Sequence, residues 1–338
     1  MSDTISLAHG SGGQLTHELI RDLFLRYLTN PALDELSDSA LLDLAGLPAN
    51  RLAFTTDSYV VQPLFFPGGD IGKLAVCGTI NDLAVAGATP IFLSAGFILE
   101  EGLPLMVLER IVHSMAETAR AAGVQIVTGD TKVVERGAAD GVFITTSGIG
   151  LVPAGRRLSP AGLRPGDVIL INGTIGDHGL AVLMAREGLA FTSSLASDCA
   201  PLHGLIAAVL EAAPAGVRCM RDPTRGGLAT TLNEWVCTGV GIELTEETIP
   251  VREEVRAACE LLGLDPLYAA NEGKVVIAVA AEEAQPVLEV LQSHPLGRAA
   301  AIIGKVTSEH AGRVVLRTSL GAHRLIDMLA GAQLPRIC

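Results

Sequence analysis

Hydrophobic and polar positions in the first half of the chain follow the periods of helices and strands in turn. Apolar residues recur at helical spacing from Gln14 to Thr29 and from Leu105 to Ala122, which predicts two amphipathic helices. The stretch from Gly72 to Ala86 is apolar almost all round and predicts a buried helix. Shorter apolar runs predict strands at 51–56, 91–99, 124–127 and 142–149.

The second half repeats this alternation after a break in composition. Proline, glycine and arginine cluster from Pro153 to Pro165 without apolar periodicity, and we place a domain boundary there. Beyond it we predict strands at 168–171, 241–245, 275–280, 301–306 and 314–318, helices at 177–187, 201–213, 252–262 and 283–292, one ending at Cys237, and a last one before the tail. The connections are too irregular for one doubly wound sheet, so we predict an α+β protein with domains at 1–152 and 160–331 and a flexible tail at 332–338.

The tail ends in a cysteine. Gly331 is placed to cap the last predicted helix, and the roughly seven residues beyond it reach about 23 Å when extended. Because Cys338 follows Pro335 and is the final residue, we expect its thiol to lie outside any packed core. The tail by itself leaves two interpretations open, a reactive arm that can enter a pocket or a frayed terminus.

Composition limits the classes of function. A chain of 338 residues with 49% hydrophobic and 18% charged residues suits two packed domains, and its net charge of −13 argues against nucleic acid or anionic membranes as partners. No apolar run is long enough to span a membrane, and the N-terminus lacks the pattern of an export signal. The six cysteines show no metal-binding spacing. We therefore expect a cytoplasmic protein with free thiols.

Four aspartates stand near predicted element boundaries in the first half: Asp38, Asp57, Asp82 and Asp130. Carboxylates at the ends of buried elements can converge on one Mg²⁺ ion, which prefers oxygen ligands and phosphate oxygens. Each aspartate alone is more commonly a helix cap or a turn former. Their joint occurrence favours a magnesium site.

Two glycine-rich stretches precede predicted helices and could bind phosphates through backbone N–H groups. The first consists of His9, Gly10, Ser11, Gly12 and Gly13, without the Gly-Lys-Ser/Thr of a P-loop. The second runs from 222 to 227 and contains Asp222, Arg225 and Gly226. Lys132 could reach a terminal phosphate or could be an ordinary solvated lysine.

One glutamate is a candidate general base. Glu272 lies in the segment Asn-Glu-Gly-Lys at 271–274, just before a predicted strand, and partial desolvation would suit it to accept a proton. A capping or surface role is equally compatible with the local sequence. His178 and His203 have no metal-type partner nearby in the sequence, so we interpret them as structural.

Taken together, these motifs resemble those of the HypE family of hydrogenase expression/formation proteins. The matching segments, in chain order, are His-Gly-Ser-Gly-Gly at 9–13, Asp38, Thr-Thr-Asp-Ser at 55–58, Asn-Asp at 81–82, Gly-Asp-Thr-Lys at 129–132, Arg-Asp-Pro-Thr-Arg-Gly-Gly at 221–227, Asn-Glu-Gly-Lys at 271–274 and Pro-Arg-Ile-Cys at 335–338. The resemblance covers essentially the whole chain, and the terminal Pro-Arg-x-Cys is its most specific mark.

The resemblance implies a two-domain AIR synthetase-like (PurM-like) fold that binds ATP between its domains and forms a homodimer through the first domain's sheet. It implies ATP- and Mg²⁺-dependent dehydration of a carbamoyl group on Cys338 to a thiocyanate, which supplies cyanide to the iron of [NiFe] hydrogenase. A HypF-type carbamoyltransferase would donate the carbamoyl group, and a HypC–HypD scaffold would accept the cyanide.

Elementary chemistry agrees with this reaction. Phosphorylating the carbamoyl oxygen makes phosphate the leaving group, and loss of protons from nitrogen completes the nitrile. We expect Asp57, Asp82 and Asp130 to bind Mg²⁺-ATP, with Asp38 as a fourth candidate. Lys132 and Arg225 would steady the transferred phosphoryl group. Glu272 would take the proton.

Other readings of the motifs remain. A selenophosphate synthetase needs a reactive cysteine or selenocysteine in the first glycine loop, which has none, and the related thiamine monophosphate kinases and ribonucleotide synthetases have no use for a terminal thiol. A non-catalytic maturation scaffold is an alternative from another class. A redox protein would need a second cysteine close in sequence to Cys338.

Overall fold

The computed structural model describes residues 4–6, 9, 18–30, 51–188, 194–236, 239–328 and 336–338. A π-helical turn at Ile20–Phe24 leads into the first of the α-helices. The helices are α1 (Leu25–Leu28), α2 (Ile71–Val85), α3 (Leu105–Ala121), α4 (Asp177–Arg186), α5 (His203–Ala212), α6 (Gly227–Trp235), α7 (Glu253–Leu262) and α8 (Ala284–Ser293).

The strands form one small and one large sheet and a two-stranded hairpin. They are β1 (Arg51–Tyr59), β2 (Phe65–Phe66), β3 (Gly69–Asp70), β4 (Thr89–Glu100), β5 (Gln125–Val134), β6 (Val142–Val152), β7 (Val168–Ile171), β8 (Val217–Arg221), β9 (Gly241–Thr245), β10 (Val276–Val279), β11 (Ala301–Thr307), β12 (Val314–Arg317) and β13 (His323–Ile326).

The first sheet has the order β1-β6-β4-β5, and α2 and α3 pack on one of its faces. Asp70 starts α2, because its carboxylate accepts hydrogen bonds from the backbone N–H groups of Gly72 and Lys73. The helix is buried on nearly every side, as its uniformly apolar sequence predicts. It can lie this close to β6 because residue 148 is glycine, whose missing Cβ would stand 2.7 Å from the Thr79 side chain.

The opposite face of this sheet, which we call the outer face, is not covered by any described part of the chain. The outer face carries exposed apolar side chains, with Phe54 at 71% of its surface exposed and Leu52 and Ile98 also exposed. Leu52 and Phe54 lie together at one end of this face, with Ile149 and Phe92 in the same row as Phe54, and an apolar group left exposed in this way is typical of an interaction surface.

The second sheet has the order β13-β12-β9-β11-β7-β10-β8, and only the β9–β12 pair is parallel. Helices α5 and α8 pack on one face together with the end of α2, and α6 packs on the other face. The strand β10 is buried throughout, as expected for a strand at the centre of a helix–sheet–helix stack. This architecture confirms the predicted α+β class with two sheets. No helix in the described ranges is long and apolar enough to cross a lipid bilayer.

Four local predictions were wrong. The strand predicted to stop before Asp57 continues to Tyr59, and the strand predicted to stop at Val127 continues to Val134. In the sequence, the polar residues at the end of each predicted strand look like the start of a turn. In the structure, backbone pairing with a neighbouring strand keeps these residues extended. The segments β8 and β13 were not predicted, and β13 lies where a last helix was expected. Gly331, its predicted cap, is outside the described residues.

A buried asparagine joins the two domains. The Asn81 side chain on α2 donates to the backbone oxygens of Ala200 and Glu272 at 3.1 and 3.3 Å, and accepts from the Leu202 N–H group at 2.8 Å. One amide group therefore satisfies three backbone groups of the second half of the chain.

We predict that Asn81→Ala will destabilise the protein by about 2–4 kcal/mol, because each buried group left unsatisfied costs about 1–3 kcal/mol. Urea unfolding followed by circular dichroism measures this change. Gln285→Ala on the exposed side of α8 is the control, expected to change stability by less than about 0.5 kcal/mol. Equal stabilities of the two variants would contradict the assigned role of Asn81.

Candidate active site

A cavity of about 500 Å³ opens between the two domains. Strand β1 and helix α2 form one wall, and β8 with the loop after it forms the other. Its polar lining groups are Thr55, Asp57, Tyr59, Asp82, Arg221, Asp222, Thr224, Arg225, Glu272 and Cys338. The structure thus brings Asp57, Asp82, Asp222, Arg225, Glu272 and Cys338 of the predicted site residues together.

The C-terminal residues are docked in the body of the protein, contrary to the expectation of a thiol outside any core. Cys338 is only 7% exposed, and Ile337 packs into the apolar core of the first domain. The Val60 N–H group donates to the terminal carboxylate of Cys338 at 3.2 Å, and the Gln62 N–H group donates to the Arg336 carbonyl at 3.3 Å. These two bonds hold the backbone of the tail against the segment that follows β1. Backbone pairing is available to any sequence, so the tail's composition did not indicate it.

The terminal sulfur faces charged groups in the cavity. Arg225 Nη1 lies 3.1 Å from Cys338 Sγ, and Arg225 Nη2 lies 3.9 Å from Asp57 Oδ1. Burial, with a contribution from Glu272, raises the pKa of the Cys338 thiol to about 12, although Arg225 acts in the opposite direction. The docked sulfur is therefore protonated at neutral pH, which suits a carrier of a bound group better than an attacking thiolate.

Glu272 is held in a tight turn by a buried carboxylate that the sequence did not reveal. Asp198 accepts hydrogen bonds from the N–H groups of Glu272 and Gly273, both at 3.1 Å, and from Lys274 Nζ at 2.8 Å. Residue 273 must be glycine, because a Cβ there would lie 1.9 Å from the Asp198 carbonyl oxygen. The segment 271–274 is thus fixed by main-chain contacts, which aim the glutamate at the cavity.

Burial raises the pKa of Glu272 well above its ordinary value, and neighbouring thiol and carboxyl groups add to this shift. The side chain is only 3% exposed. A carboxylate whose pKa is raised toward neutrality is a stronger base, so this environment is suited to proton abstraction.

Three further carboxyl groups crowd the cavity. Burial and the charge of Asp57 raise the pKa of Asp82, although Thr55 donates a hydrogen bond to it at 2.8 Å. Burial and the charge of Asp82 raise the pKa of Asp222 to about 7. Tyr59 donates to Asp57 Oδ2 at 3.0 Å. Such mutual repulsion favours the binding of a cation among the carboxylates.

These residues fit a magnesium ion that arrives with phosphate oxygens. Within the described residues there is no cluster of three or more His, Cys, Asp or Glu side chains arranged to hold a metal by themselves. Mg²⁺ commonly takes one or two protein carboxylates and completes its shell with water and substrate phosphates, and Asp57 and Asp82 can supply those carboxylates.

Asp130 and Lys132 do not join this cavity within one chain. Asp57 is paired across the sheet with Thr146, Thr146 with Ala95, and Ala95 with Gly129, so these four residues face α2 in one row. Asp130 follows Gly129 and points to the outer face, about 14 Å away across three strand spacings. Within one chain Asp130 therefore lies apart from Asp57 and Asp82, and its binding of Mg²⁺-ATP stays a prediction.

Asp130 and Lys132 are instead exposed and form an ion pair with each other at 3.1 Å. Of the first glycine-rich stretch only His9 is described. Its ring nitrogen Nδ1 lies 2.9 Å from Ser6 Oγ, and it does not line the cavity. Asp38, Gly10, Ser11, Gly12 and Gly13 lie outside the described residues.

The second glycine-rich stretch makes a sharp turn into α6. Gly226 and Gly227 both have positive φ angles, 77° and 59°. A side chain at residue 227 would also meet the Leu267 and Ala269 carbonyls at 2.6 Å, so the turn needs glycine. The turn places Arg225 in the cavity.

Sequence reasoning missed Tyr59 and Asp198 and interpreted His178 as structural. Tyr59 follows the aspartate motif and could have been found from strand alternation, because residues 57 and 59 share a face. Nothing local distinguishes Asp198 or His178, whose partners lie far along the chain.

The fold and this cavity correspond to a known class of proteins. Residues 36–152 match the N-terminal domain, and residues 164–317 the C-terminal domain, of the AIR synthase related proteins. The chain is therefore an AIR synthase related protein containing both domains of that class.

Closer relatives define the family. The chain is 57% identical to a carbamoyl dehydratase HypE of Azotobacter vinelandii, over 99% of this chain and 97% of that protein. A crystal structure of the hydrogenase maturation protein HypE in complex with ATP matches with a TM-score of 0.94 at 52% identity, covering 99% of this chain and all of that one. HypE in a HypE–HypF complex matches with a TM-score of 0.79 at 49% identity, covering 92% of this chain and 99% of that one. The chain belongs to the HypE family.

We predict that Glu272→Gln will stabilise the protein at pH 8. In the unfolded chain Glu272 ionises at its ordinary pKa, while the folded protein retains the proton to higher pH. The folded state therefore binds more protons in this window, and stability falls as the pH rises. The variant removes this effect and should therefore unfold at a higher urea concentration than the wild type at pH 8.

Urea unfolding at pH 8 and pH 4.5 measures the difference, which should shrink at the lower pH, where the glutamate is protonated in the folded protein and about half protonated in the unfolded chain. Glu282→Gln on the exposed surface is the matched control and should change stability little at either pH. A variant less stable than the wild type at pH 8 would show that Glu272 is not strained by burial.

Proposed function

We propose that this protein uses ATP to dehydrate a carbamoyl group carried on the sulfur of Cys338, leaving a thiocyanate. One observation carries the proposal: the terminal sulfur lies inside the cavity, 3.1 Å from Arg225 and beside Glu272 and Asp57. The names of its relatives and the ATP complex of one of them support the same reaction.

The reaction balances in two steps. In the first, the carbamoyl oxygen attacks the γ-phosphorus of ATP, the bond to the β-phosphate oxygen breaks, ADP leaves, and the nitrogen loses one proton. In the second, the carbon–oxygen bond breaks with release of phosphate, and loss of the remaining nitrogen proton completes the carbon–nitrogen triple bond. Glu272 and Arg225 line the same cavity as the sulfur. Ionised Glu272 would accept a nitrogen proton, and Arg225 would bind the phosphoryl group.

Asp57 and Asp82 would hold magnesium against the phosphates of ATP. The ion would neutralise charge on the phosphates during transfer. Asp222 and Thr224, in the loop before α6, also line the cavity on the second-domain wall, together with Arg221.

We also propose that the protein is a homodimer formed through the outer face of the first sheet. Phe54 lies on that face and also lines the cavity, so the cavity reaches the surface where a second copy would sit. Asp130 and Lys132 lie on the same face. In such a dimer these two residues would reach the phosphates bound by the partner subunit, and so have the role that the motif Gly-Asp-Thr-Lys predicts.

The partners follow from the chemistry of Cys338. A HypF-type carbamoyltransferase would load the sulfur, which the known HypE–HypF complex supports, and a HypC–HypD scaffold would accept the cyanide. The five described cysteines are all free thiols, which supports work in a reducing cytoplasm.

We predict an ATP-dependent loss of one water from the C-terminal peptide. Cys338 is first carbamoylated, either with the carbamoyltransferase or chemically with cyanate, and the peptide is then weighed by mass spectrometry with and without Mg²⁺-ATP. The water should be lost only with ATP, and Cys338→Ser should give no dehydrated product while still binding ATP. An adduct that persists with ATP would overturn the proposal and favour a non-catalytic scaffold.

We predict that Lys132→Ala will reduce ATP turnover at least about 100-fold, because a cation at the transferred phosphoryl group contributes several kcal/mol. Asp57→Asn should do the same. If Lys132 acts across a dimer, mixing the two inactive variants restores activity, because a mixed dimer contains one site with both residues intact. Exposed Lys305→Ala is the control. Full activity of Lys132→Ala would remove Lys132 from the site.

A further inference from the structure

The described tail residues are held by their backbone oxygens. The Arg336 carbonyl accepts from the Gln62 N–H group and from Arg186 Nη2 at 2.5 Å, and the terminal carboxylate of Cys338 accepts from the Val60 N–H group. Between them, the Ile337 carbonyl lies 3.0 Å from Nε2 of His178. Of these donors, only His178 is a fully buried side chain.

The hydrogen bonds around His178 fix which of its ring nitrogens carries the proton. Ser197 Oγ accepts from the Cys199 N–H group at 3.1 Å, which leaves the serine hydroxyl hydrogen free to donate to Nδ1 of His178 at 2.8 Å. Nδ1 is then an acceptor, so Nε2 bears the hydrogen and donates it to the Ile337 carbonyl. Burial lowers the pKa of His178, so the ring is neutral and this tautomer persists.

The ring is also fixed in orientation. It makes an edge-to-face contact with Phe66 of the β2–β3 hairpin, at 5.5 Å between centroids and 87° between planes. His178 itself lies in the first turn of α4, in the second half of the chain. The tail is thus held from both domains at once, by Val60 and Gln62 on one side and by His178 on the other.

We propose that His178 is a positioning residue, whose Nε2–H holds the Ile337 carbonyl and so keeps the sulfur of the next residue in the cavity. Tail docking needs a donor here because the carbonyl is buried, and a buried acceptor without a partner is costly. The role in catalysis rests on the proposed function, whereas the role in docking does not.

Two substitutions in the full-length protein distinguish the effect of the His178 hydrogen-bond donor from the effect of the shape of its ring. His178→Phe keeps a planar ring without a donor, and His178→Gln keeps an N–H donor. Iodoacetamide is applied under native conditions, and alkylation of Cys338 is followed in the C-terminal peptide by mass spectrometry. We expect alkylation about tenfold faster in His178→Phe, the effect of about 1.4 kcal/mol. His178→Gln should stay close to the wild type, and so should His203→Phe, which changes a half-buried histidine outside the cavity.

The second measurement is the ATP-dependent loss of water from the carbamoylated C-terminal peptide. It should be about tenfold slower in His178→Phe, with the Kd for ATP unchanged. Ser197→Ala should shift both measurements in the same direction by a smaller factor, because it frees Nδ1 to take the proton. Should His178→Phe fail to fold, Ser197→Ala decides the question.

The possible failures can be told apart. Alkylation of Cys338 at the wild-type rate in His178→Phe, or in Ser197→Ala if the former does not fold, would overturn the proposal. Loss of protection in His178→Gln equal to that in His178→Phe would also overturn it, since the donor would then be irrelevant. Faster alkylation in His178→Phe alone, with no water lost even by the wild type, would leave docking by His178 intact and remove the proposed function.

Discussion

The position of the terminal sulfur depends on hydrogen bonding of the tail's backbone at the junction of the two domains. The backbone oxygens of residues 336–338 each accept a hydrogen bond, and these bonds place the Cys338 side chain. Val60 and Gln62 supply such bonds from the first domain, and Arg186 and His178 supply them from the second. Asn81 joins the same two parts of the chain nearby. The cavity and its reactive group therefore exist only when the domains are packed together.

The cavity contains carboxyl groups whose burial and mutual repulsion destabilise the folded protein but suit them to the proposed reaction. Glu272 is buried and Asp82 lies beside Asp57, so burial and repulsion raise the pKa values of Glu272 and Asp82. Burial raises the pKa of Asp198 as well, but Lys274, together with further favourable interactions that include the Glu272 N–H group, outweighs burial and lowers the pKa of this carboxyl. The contrast separates their roles. Asp198 is neutralised inside the protein and holds the turn, while the cavity carboxylates would be neutralised by the proposed magnesium ion.

The two faces of the first sheet carry different sets of site residues. Asp57 faces α2 and the cavity, whereas Asp130 and Lys132 point to the outer face, because residues of opposite parity along paired strands lie on opposite sides. The exposed apolar side chains on the outer face are poorly suited to permanent contact with water. The outer face would thus form the proposed dimer and also bring Asp130 and Lys132 to the proposed site.

The sequence by itself determined the class of fold, the buried α2, and the motifs around Asp57, Asp82, Arg225, Glu272 and Cys338, because helical periodicity and short motifs are local properties. Tertiary structure alone decided that β1 and β5 continue through their aspartates and that Asp57 and Asp130 face apart, since strand extent and facing depend on pairing with distant strands. It also decided that Asp198 and His178 matter, because Glu272 and Ile337, whose backbone groups they bind, lie 74 and 159 positions away from them. The terminal thiol shows the same division. The sequence identifies the residue as a cysteine, but its burial in the cavity comes from backbone hydrogen bonds, which a pattern of side chains does not predict.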